Sequence, residues 1–194
     1  DQTLCNTATF TLAGNVATPG TGTWVIQSGP GTVTTPNSPT STVTGVTAGA
    51  APTVVRWTIT NGVCASTFDD VTLINLQPSS TADAGVNITQ CNTSSFTMAA
   101  VVPAVGTGTW TVQSGSATIT NPALETTTVT RIAAGSSATV RWTVSNGGCL
   151  PTFEDIILTN TAAAPVANAN SDQTLCNTTT FTLAGNVATP GTGT

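Results

Sequence analysis

Three observations predict an all-β chain built as sandwiches in tandem. Thr is the commonest residue, and β-branched residues suit a pleated, half-buried surface. Apolar and polar residues alternate in short runs with no helical period. The sequence also repeats. It opens on DQTLCNTATFTLAGNVATPGTGT and closes on DQTLCNTTTFTLAGNVATPGTGT, the one change being Ala8 to Thr179.

The repeat sets the organisation. Cys5 matches Cys91, Phe10 matches Phe96 and Trp24 matches Trp110, an offset of 86. Past a one-residue deletion near Pro52 the offset becomes 85, so that Trp57 matches Trp142, Cys64 matches Cys149 and Phe68 matches Phe153. Such a period is a whole small domain, because solenoid repeats run roughly 20–50 residues. Residues 1–77 and 78–163 are predicted to be two repeats, and 164–194 the first strands of an incomplete third. The expectation is a window on a longer array whose third sandwich is completed elsewhere.

Each repeat reads as about seven short strands. In V-V-R-W-T-I-T-N-G, Val55, Trp57 and Ile59 take one face, and Arg56, Thr58 and Thr60 take the other. Val25 becomes Thr111 in the second copy, which marks an outward site, whereas Ile26 becomes Val112, which marks an inward one. The predicted first core comprises Phe10, Leu12, Trp24, Ile26, Val33, Val43, Val55, Trp57, Ile59, Val71 and Leu73. Its second-copy counterparts are Phe96, Met98, Trp110, Val112, Ile119, Val129, Val140, Trp142, Val144, Ile156 and Leu158. This many alternating strands in one period indicates an immunoglobulin-like sandwich. Asn61-Gly62 and Asn146-Gly147 signal two-residue hairpin turns. If Cys64 and Phe68 face inward with Val71 and Leu73, the strand must change parity at Asp69-Asp70, which predicts a bulge there.

The five cysteines fall two to a repeat, with Cys176 left to pair beyond this sequence. In an up-and-down reading the first cysteine and the Asn-Gly turn lie at one end of the sandwich. One disulfide per repeat is then expected, Cys5–Cys64 and Cys91–Cys149. The alternative is two buried thiols per repeat; zinc is disfavoured, because there is no CxxC and no His. Disulfides imply an oxidising, extracellular compartment.

Composition excludes several functions. The basic residues are Arg56, Arg131 and Arg141, against eight acidic ones, for a net charge of −5. Nucleic acid and anionic membrane both require clustered cations. No apolar run reaches the roughly 20 residues of a membrane span. With neither His nor Lys, the usual general bases and Schiff-base groups are missing, and no enzyme is expected. Asp69-Asp70 and Glu154-Asp155 are adjacent carboxylates, which a strand sends to opposite faces. No cofactor is expected; the weak exception is Ca²⁺, which hard oxygen ligands suit, with Asp69, Asp70 and Asp83 as the candidate ligands. Rows of Thr leave one competing function, a carbohydrate- or surface-binding module that uses Thr-rich strand faces. The four Trp on the inward face and the absence of Tyr count against it.

D-Q-T-L-C-N near a repeat start, G-T-G-T-W in its middle and R-W-T-V-S-N-G-G-C near its end resemble the tandem PKD-like or Ig-like repeats of giant Bacteroidetes surface adhesins. These include gliding-motility adhesins exported by type IX secretion. The WDFGDG-type loop of PKD domains is absent. The resemblance implies structural stalk or filament repeats of a cell-surface protein that presents a distal adhesive region. Its partners would be neighbouring repeats of the same polypeptide, and identical chains in a filament. By motif it carries over the paired cysteines and the core Trp positions. The expected arrangement is a beaded rod with linkers at Gln77–Gln90 and Ala162–Gln173.

Overall fold

The computed structural model describes residues 1–93 and 95–193; Ser94 and Thr194 lie outside the described residues. The fold is all-β, in tandem immunoglobulin-like sandwiches. In the first repeat the strands are β1 (Gln2–Cys5), β2 (Thr9–Thr11), β3 (Thr21–Ser28), β4 (Thr32–Val33), β5 (Thr42–Thr44), β6 (Thr53–Thr60) and β7 (Thr67–Leu76). In the second they are β8 (Ile88–Cys91), β9 (Ser95–Thr97), β10 (Thr107–Ser114), β11 (Thr118–Ile119), β12 (Thr128–Thr130), β13 (Ser136–Ser145) and β14 (Thr152–Thr161). Each repeat has a four-stranded and a three-stranded sheet, β1-β7-β6-β3 with β2-β5-β4, and β10-β13-β14-β8 with β11-β12-β9.

By its contacts the chain divides into two compact units. One comprises Asp1–Asp83, Val101–Thr109 and Trp142–Glu154; the other comprises Ala84–Ala100, Trp110–Arg141 and Asp155–Thr194. Within the first, the core gathers Phe10, Leu12, Trp24, Val43, Val55, Trp57 and Leu73, with Ile26, Val33, Ile59 and Val71 half-buried against it. The rings of Trp24 and Trp57 sit 4.9 Å apart, tilted by 38°. Trp24 Nε1 donates to Pro39 O at 3.4 Å. Trp57 Nε1 is buried with no partner among the described residues.

The G-T-G-T-W motif follows from this packing. A Cβ on Gly22 would overlap the ring carbons of Trp57, and one on Gly108 those of Trp142. The glycines are seats for the indoles. Gly22→Ala is therefore expected to cost about 1–3 kcal/mol by overpacking. Urea titration checks this, and a variant as stable as the parent would remove the seat argument.

The alternation expected for β6 is observed: Val55 and Trp57 are buried, and Arg56 and Thr58 are only half-buried. The register of β6 with β7 runs unbroken from Thr53↔Leu73 to Ile59↔Thr67. The bulge expected at Asp69-Asp70 is thus absent, and Phe68 points outward at 60% exposure. The outward parity is held by Arg56, whose guanidinium stacks 3.8 Å over the Phe68 ring while bonding Asp70 across the strand pair. Val112 is a further correction, 37% exposed. It lies two residues from the end of β10, and the half-buried Ile26 at the matching place marks a sandwich rim rather than its centre.

The Asn-Gly segments are not two-residue turns. Residues 61–66 separate β6 from β7, and 146–151 separate β13 from β14. Gly62 and Gly147 are left-handed (φ 57° and 53°), but their asparagines are not among the positive-φ residues. A different left-handed pair is informative: Gly45 (φ 74°) is replaced in the second copy by Arg131 (φ 67°). A side chain in that region costs roughly 1–2 kcal/mol, partly offset by the chain entropy that Gly loses. Arg131→Gly is therefore expected to raise stability by about 0.5–1 kcal/mol; a lower thermal midpoint would contradict this.

Residues 162–193 carry no strand. Phe181 is 50% exposed, whereas its counterpart Phe10 is fully buried. Local contacts persist all the same, with Gln173 bonding Thr182 O as Gln2 bonds Thr11 O. Phe10 is buried because β2 pairs with β5, and this sequence holds no third copy of β5.

Candidate functional site

Among the described residues no three Asp, Glu or Cys converge on a point that could hold a metal ion. Asp70 is engaged by Arg56 through two bonds of 2.8 Å, and Asp155 by Arg141 at 2.7 and 2.8 Å. Asp69, opposite Trp57 in the ladder, and Asp83, beyond the end of β7, are not gathered with Asp70 into such a cluster. Some of the exposed Thr pair their hydroxyls across strands. Thr34 and Thr42 share a hydroxyl bond of 2.8 Å, as do Thr120 and Thr128, and Thr21 and Thr60 share one of 3.1 Å.

Hydrogen bonds from the arginines hold the Asp70 and Asp155 carboxyls below the ordinary aspartate value, against a smaller opposing effect of desolvation. A depressed folded pKa gives stability that is present above the unfolded pKa and lost as pH falls through the folded one. The thermal midpoint should therefore drop below about pH 4. Replacing Arg56 and Arg141 together by Gln should make that drop shallower. An unchanged acid limb would mean that the pairs contribute nothing.

The candidate functional feature is a covalent seam. Cys5 is bonded to Cys149, 144 residues away, with their Cα atoms 5.1 Å apart. Cys64, Cys91 and Cys176 are free and exposed. The expected Cys5–Cys64 and Cys91–Cys149 bridges are thus not formed, and strand direction explains why. β1 lies parallel to β7, placing Cys5 beside Leu76 at the far end of that strand. Cys64 precedes the near end at Thr67. Ten strand residues at about 3.3 Å each separate the two ends, far beyond disulfide reach. The second repeat repeats the arrangement, with Cys91 beside Thr161 and Cys149 before Thr152.

Backbone chemistry in β1 and the linker builds the seam. Asn6 is left-handed (φ 46°) and donates its N–H to Leu76 O at 2.9 Å. It turns the chain from β1 in the larger sheet to β2 in the smaller one. Past β7 the linker is held to the turn that carries Cys149. Asn146 Nδ2 donates to Gln77 O at 2.8 Å. Thr152 Oγ1 donates to Ser80 O at 2.6 Å and accepts from Ala82 N at 2.9 Å. Ser80 N donates to Val105 O at 3.0 Å, and Ser80 Oγ accepts from Val105 N at 2.8 Å. Cys149 Sγ lies 3.0 Å from Gln77 O, a contact without a proton because the sulfur is in the disulfide.

A second buried device escaped the sequence reading. Asn75 donates from Nδ2 to Thr7 O (2.9 Å) and Val46 O (2.7 Å), and its Oδ1 accepts from Thr7 N (3.1 Å). Asn160 does the same with Thr93 O (3.0 Å), Ile132 O (2.8 Å) and Thr93 N (3.0 Å). Each Asn clasps the segment between the first two strands just past the first cysteine. The signal was present: Asn75 has the same parity as the inward Val71 and Leu73, and both copies carry it.

No protein-family model matches the chain, and no curated protein does. Solved structures do. The chain is similar to murine CEACAM1b at 14% identity and a TM-score of 0.52, over 83% of this chain and 96% of that one. An I-band fragment of titin, I67–I69, matches at 14% identity and a TM-score of 0.49, over 83% of this chain and 62% of the fragment. The insect immune protein hemolin matches at 11% identity and a TM-score of 0.41, over 82% of this chain. The chain spans 44% of the hemolin chain and 62% of the titin fragment. At these identities the likeness speaks to fold alone, and the CEACAM1b match supports the tandem immunoglobulin-like assignment.

Proposed function

We propose that the chain is a stretch of the structural stalk of an extracellular, cell-surface adhesive protein, with repeats at 1–77, 78–163 and 164–194. The observation that carries this reading is the Cys5–Cys149 bond between the first strand of one repeat and the last turn of the next. A disulfide persists in an oxidising compartment, and this one ties covalently two segments that belong to successive sequence repeats. The Thr hydroxyls paired across strands agree with a spacer. The finer reading is that of surface adhesins serving attachment or gliding motility, displayed as beaded rods by a bacterium of the Bacteroidetes type.

Antibodies against the two repeats should label intact cells of the source organism, and surface proteolysis should remove the label. Labelling only after permeabilisation would overturn the proposal. Deleting the gene should abolish attachment or gliding; wild-type behaviour would leave a surface spacer without the adhesive role. Small-angle scattering of the chain should give an extended profile, unchanged by EDTA. Shortening in EDTA would revive Ca²⁺ at the carboxylates.

A further inference from the structure

The Cys5–Cys149 bond closes a covalent loop around most of the folded chain. Cys5 is the last residue of β1, and Cys149 stands just before β14. Inside the loop lie residues 6–148, with every strand from β2 to β13. The buried rings of Phe10, Trp24, Trp57, Phe96, Trp110 and Trp142 all belong to it. On the direct covalent line through the two sulfurs, the only strands among the described residues are β1 and β14. A strand already rises about 3.3 Å per residue, and a fully drawn chain reaches at most about 3.6 Å. Pulling along β1 and β14 therefore lengthens them very little.

Without the bond, tension takes another route. β1 runs parallel to β7 from Gln2↔Leu73 to Cys5↔Leu76, and β8 runs parallel to β14 from Ile88↔Leu158 to Cys91↔Thr161. A pull that enters before β1 and leaves after β7 slides these parallel partners past one another, and β8 and β14 are loaded in the same way. Once a pair parts, the repeat behind it unravels. With the bond, tension that reaches Cys5 leaves through its sulfur and re-enters the backbone at Cys149, so β7 and β8 are left out of the line.

We propose that the Cys5–Cys149 disulfide is a redox-controlled length gate: bonded, it carries tension past residues 6–148, and reduced, it hands that tension to the loop, which is then drawn out. The stored length is roughly 500 Å, for cysteines 144 residues apart at about 3.3–3.6 Å per residue. Opening the gate requires a reductant, such as a small dithiol. Cys5 is half-buried and Cys149 buried, so the dithiol meets the Cys5 sulfur first. Its thiolate attacks that sulfur, the S–S bond breaks and Cys149 leaves as a thiolate; the second thiol then closes the dithiol into a ring and frees Cys5. Two electrons and two protons end on the cysteines, and the dithiol becomes a cyclic disulfide. The gate acts on any pull applied before Cys5 and after Cys149, and it requires no adhesive role.

The test holds the full chain in optical tweezers by handles on its two termini, after N-ethylmaleimide has capped the exposed thiols of Cys64, Cys91 and Cys176. The force is set where the pre-reduced parent unfolds over seconds. At that force the oxidised chain should keep a contour length near that of residues 1–5 and 149–194, about 170 Å. Dithiothreitol should then release roughly 500 Å more, at a rate that rises with its concentration. That length should come in discrete steps after the bond opens, as shielded repeats take the load and unfold. A release complete at the moment of reduction would mean that the loop had already unfolded under tension, and would overturn the proposal. So would an oxidised chain that draws out to its full length, or a reduction that changes nothing. A release of roughly 200 Å would also overturn it, since that is the length of a Cys5–Cys64 loop. Cys5→Ser should reach the full length with no dithiol present.

Discussion

Replacing Cys149 or Cys5 with Ser is expected to lower unfolding free energy by about 2–5 kcal/mol, while Cys64→Ser and Cys91→Ser change it by no more than about 0.5 kcal/mol. The bonded cysteines are 144 residues apart. In the chain-entropy model a loop of that size reaches the upper end of the range, near 5 kcal/mol. The linker contacts around Gln77 and Ser80 already hold the two ends near one another, and any part of them that survives unfolding lowers the gain. The free cysteines are exposed, and their thiols close no loop. Guanidinium titration without reductant, followed by Trp fluorescence, separates the four variants. An equal loss in Cys64→Ser would restore the bridge within one repeat and remove the seam. Adding reductant to the parent should reproduce the Cys149→Ser midpoint.

The same four substitutions mark what the sequence could and could not disclose. Alternation in V-V-R-W-T-I-T revealed strand, face and core, because a period of two needs no knowledge of neighbours. Comparing the copies found the outward Val25, which is 49% exposed. Disulfide pairing was another matter. In an array with one early and one late cysteine per repeat, bonds within repeats and bonds between successive repeats use the same residues in the same numbers. Only the direction of β1 against β7 separates them, and an up-and-down order gave that strand the wrong direction. Phe68 failed for a related reason. Its apolar ring suggested the inward face, but parity with Asp70 and the stacked Arg56 keep it outside. Val112 shows that apolar exchange between copies also occurs at a rim, where burial is incomplete in both.

Asn75→Ala is expected to cost about 2–4 kcal/mol, since it leaves the buried Val46 carbonyl and both main-chain groups of Thr7 without their partner. Asn75 is only 5% exposed, so water cannot replace all three bonds. Thr7 is half-buried and recovers part of its loss from solvent, which keeps the figure below the sum of three fully buried groups. Asn75→Asp discriminates the clasp from simple filling of space. The carboxylate is nearly isosteric and still accepts from Thr7 N–H, but it cannot donate to the two carbonyls, and its charge is buried against them. At neutral pH it should be at least as damaging as alanine. Its folded pKa would be raised, because the protonated form restores one donor and removes the charge. A raised folded pKa gives stability that is present below the unfolded value and lost as pH rises through the folded one. The Asn75→Asp variant should therefore recover towards the parent between neutral pH and about pH 5, while Asn75→Ala stays flat over that range. The expected loss of the clasp also loosens the β1–β2 crossing that carries Cys5, so amide exchange at Thr7 and at the Asn6–Leu76 bond should speed up before the rest of the sheet does. Parent-like exchange there, together with an undiminished midpoint for Asn75→Ala, would show that this buried amide fills space and clasps nothing.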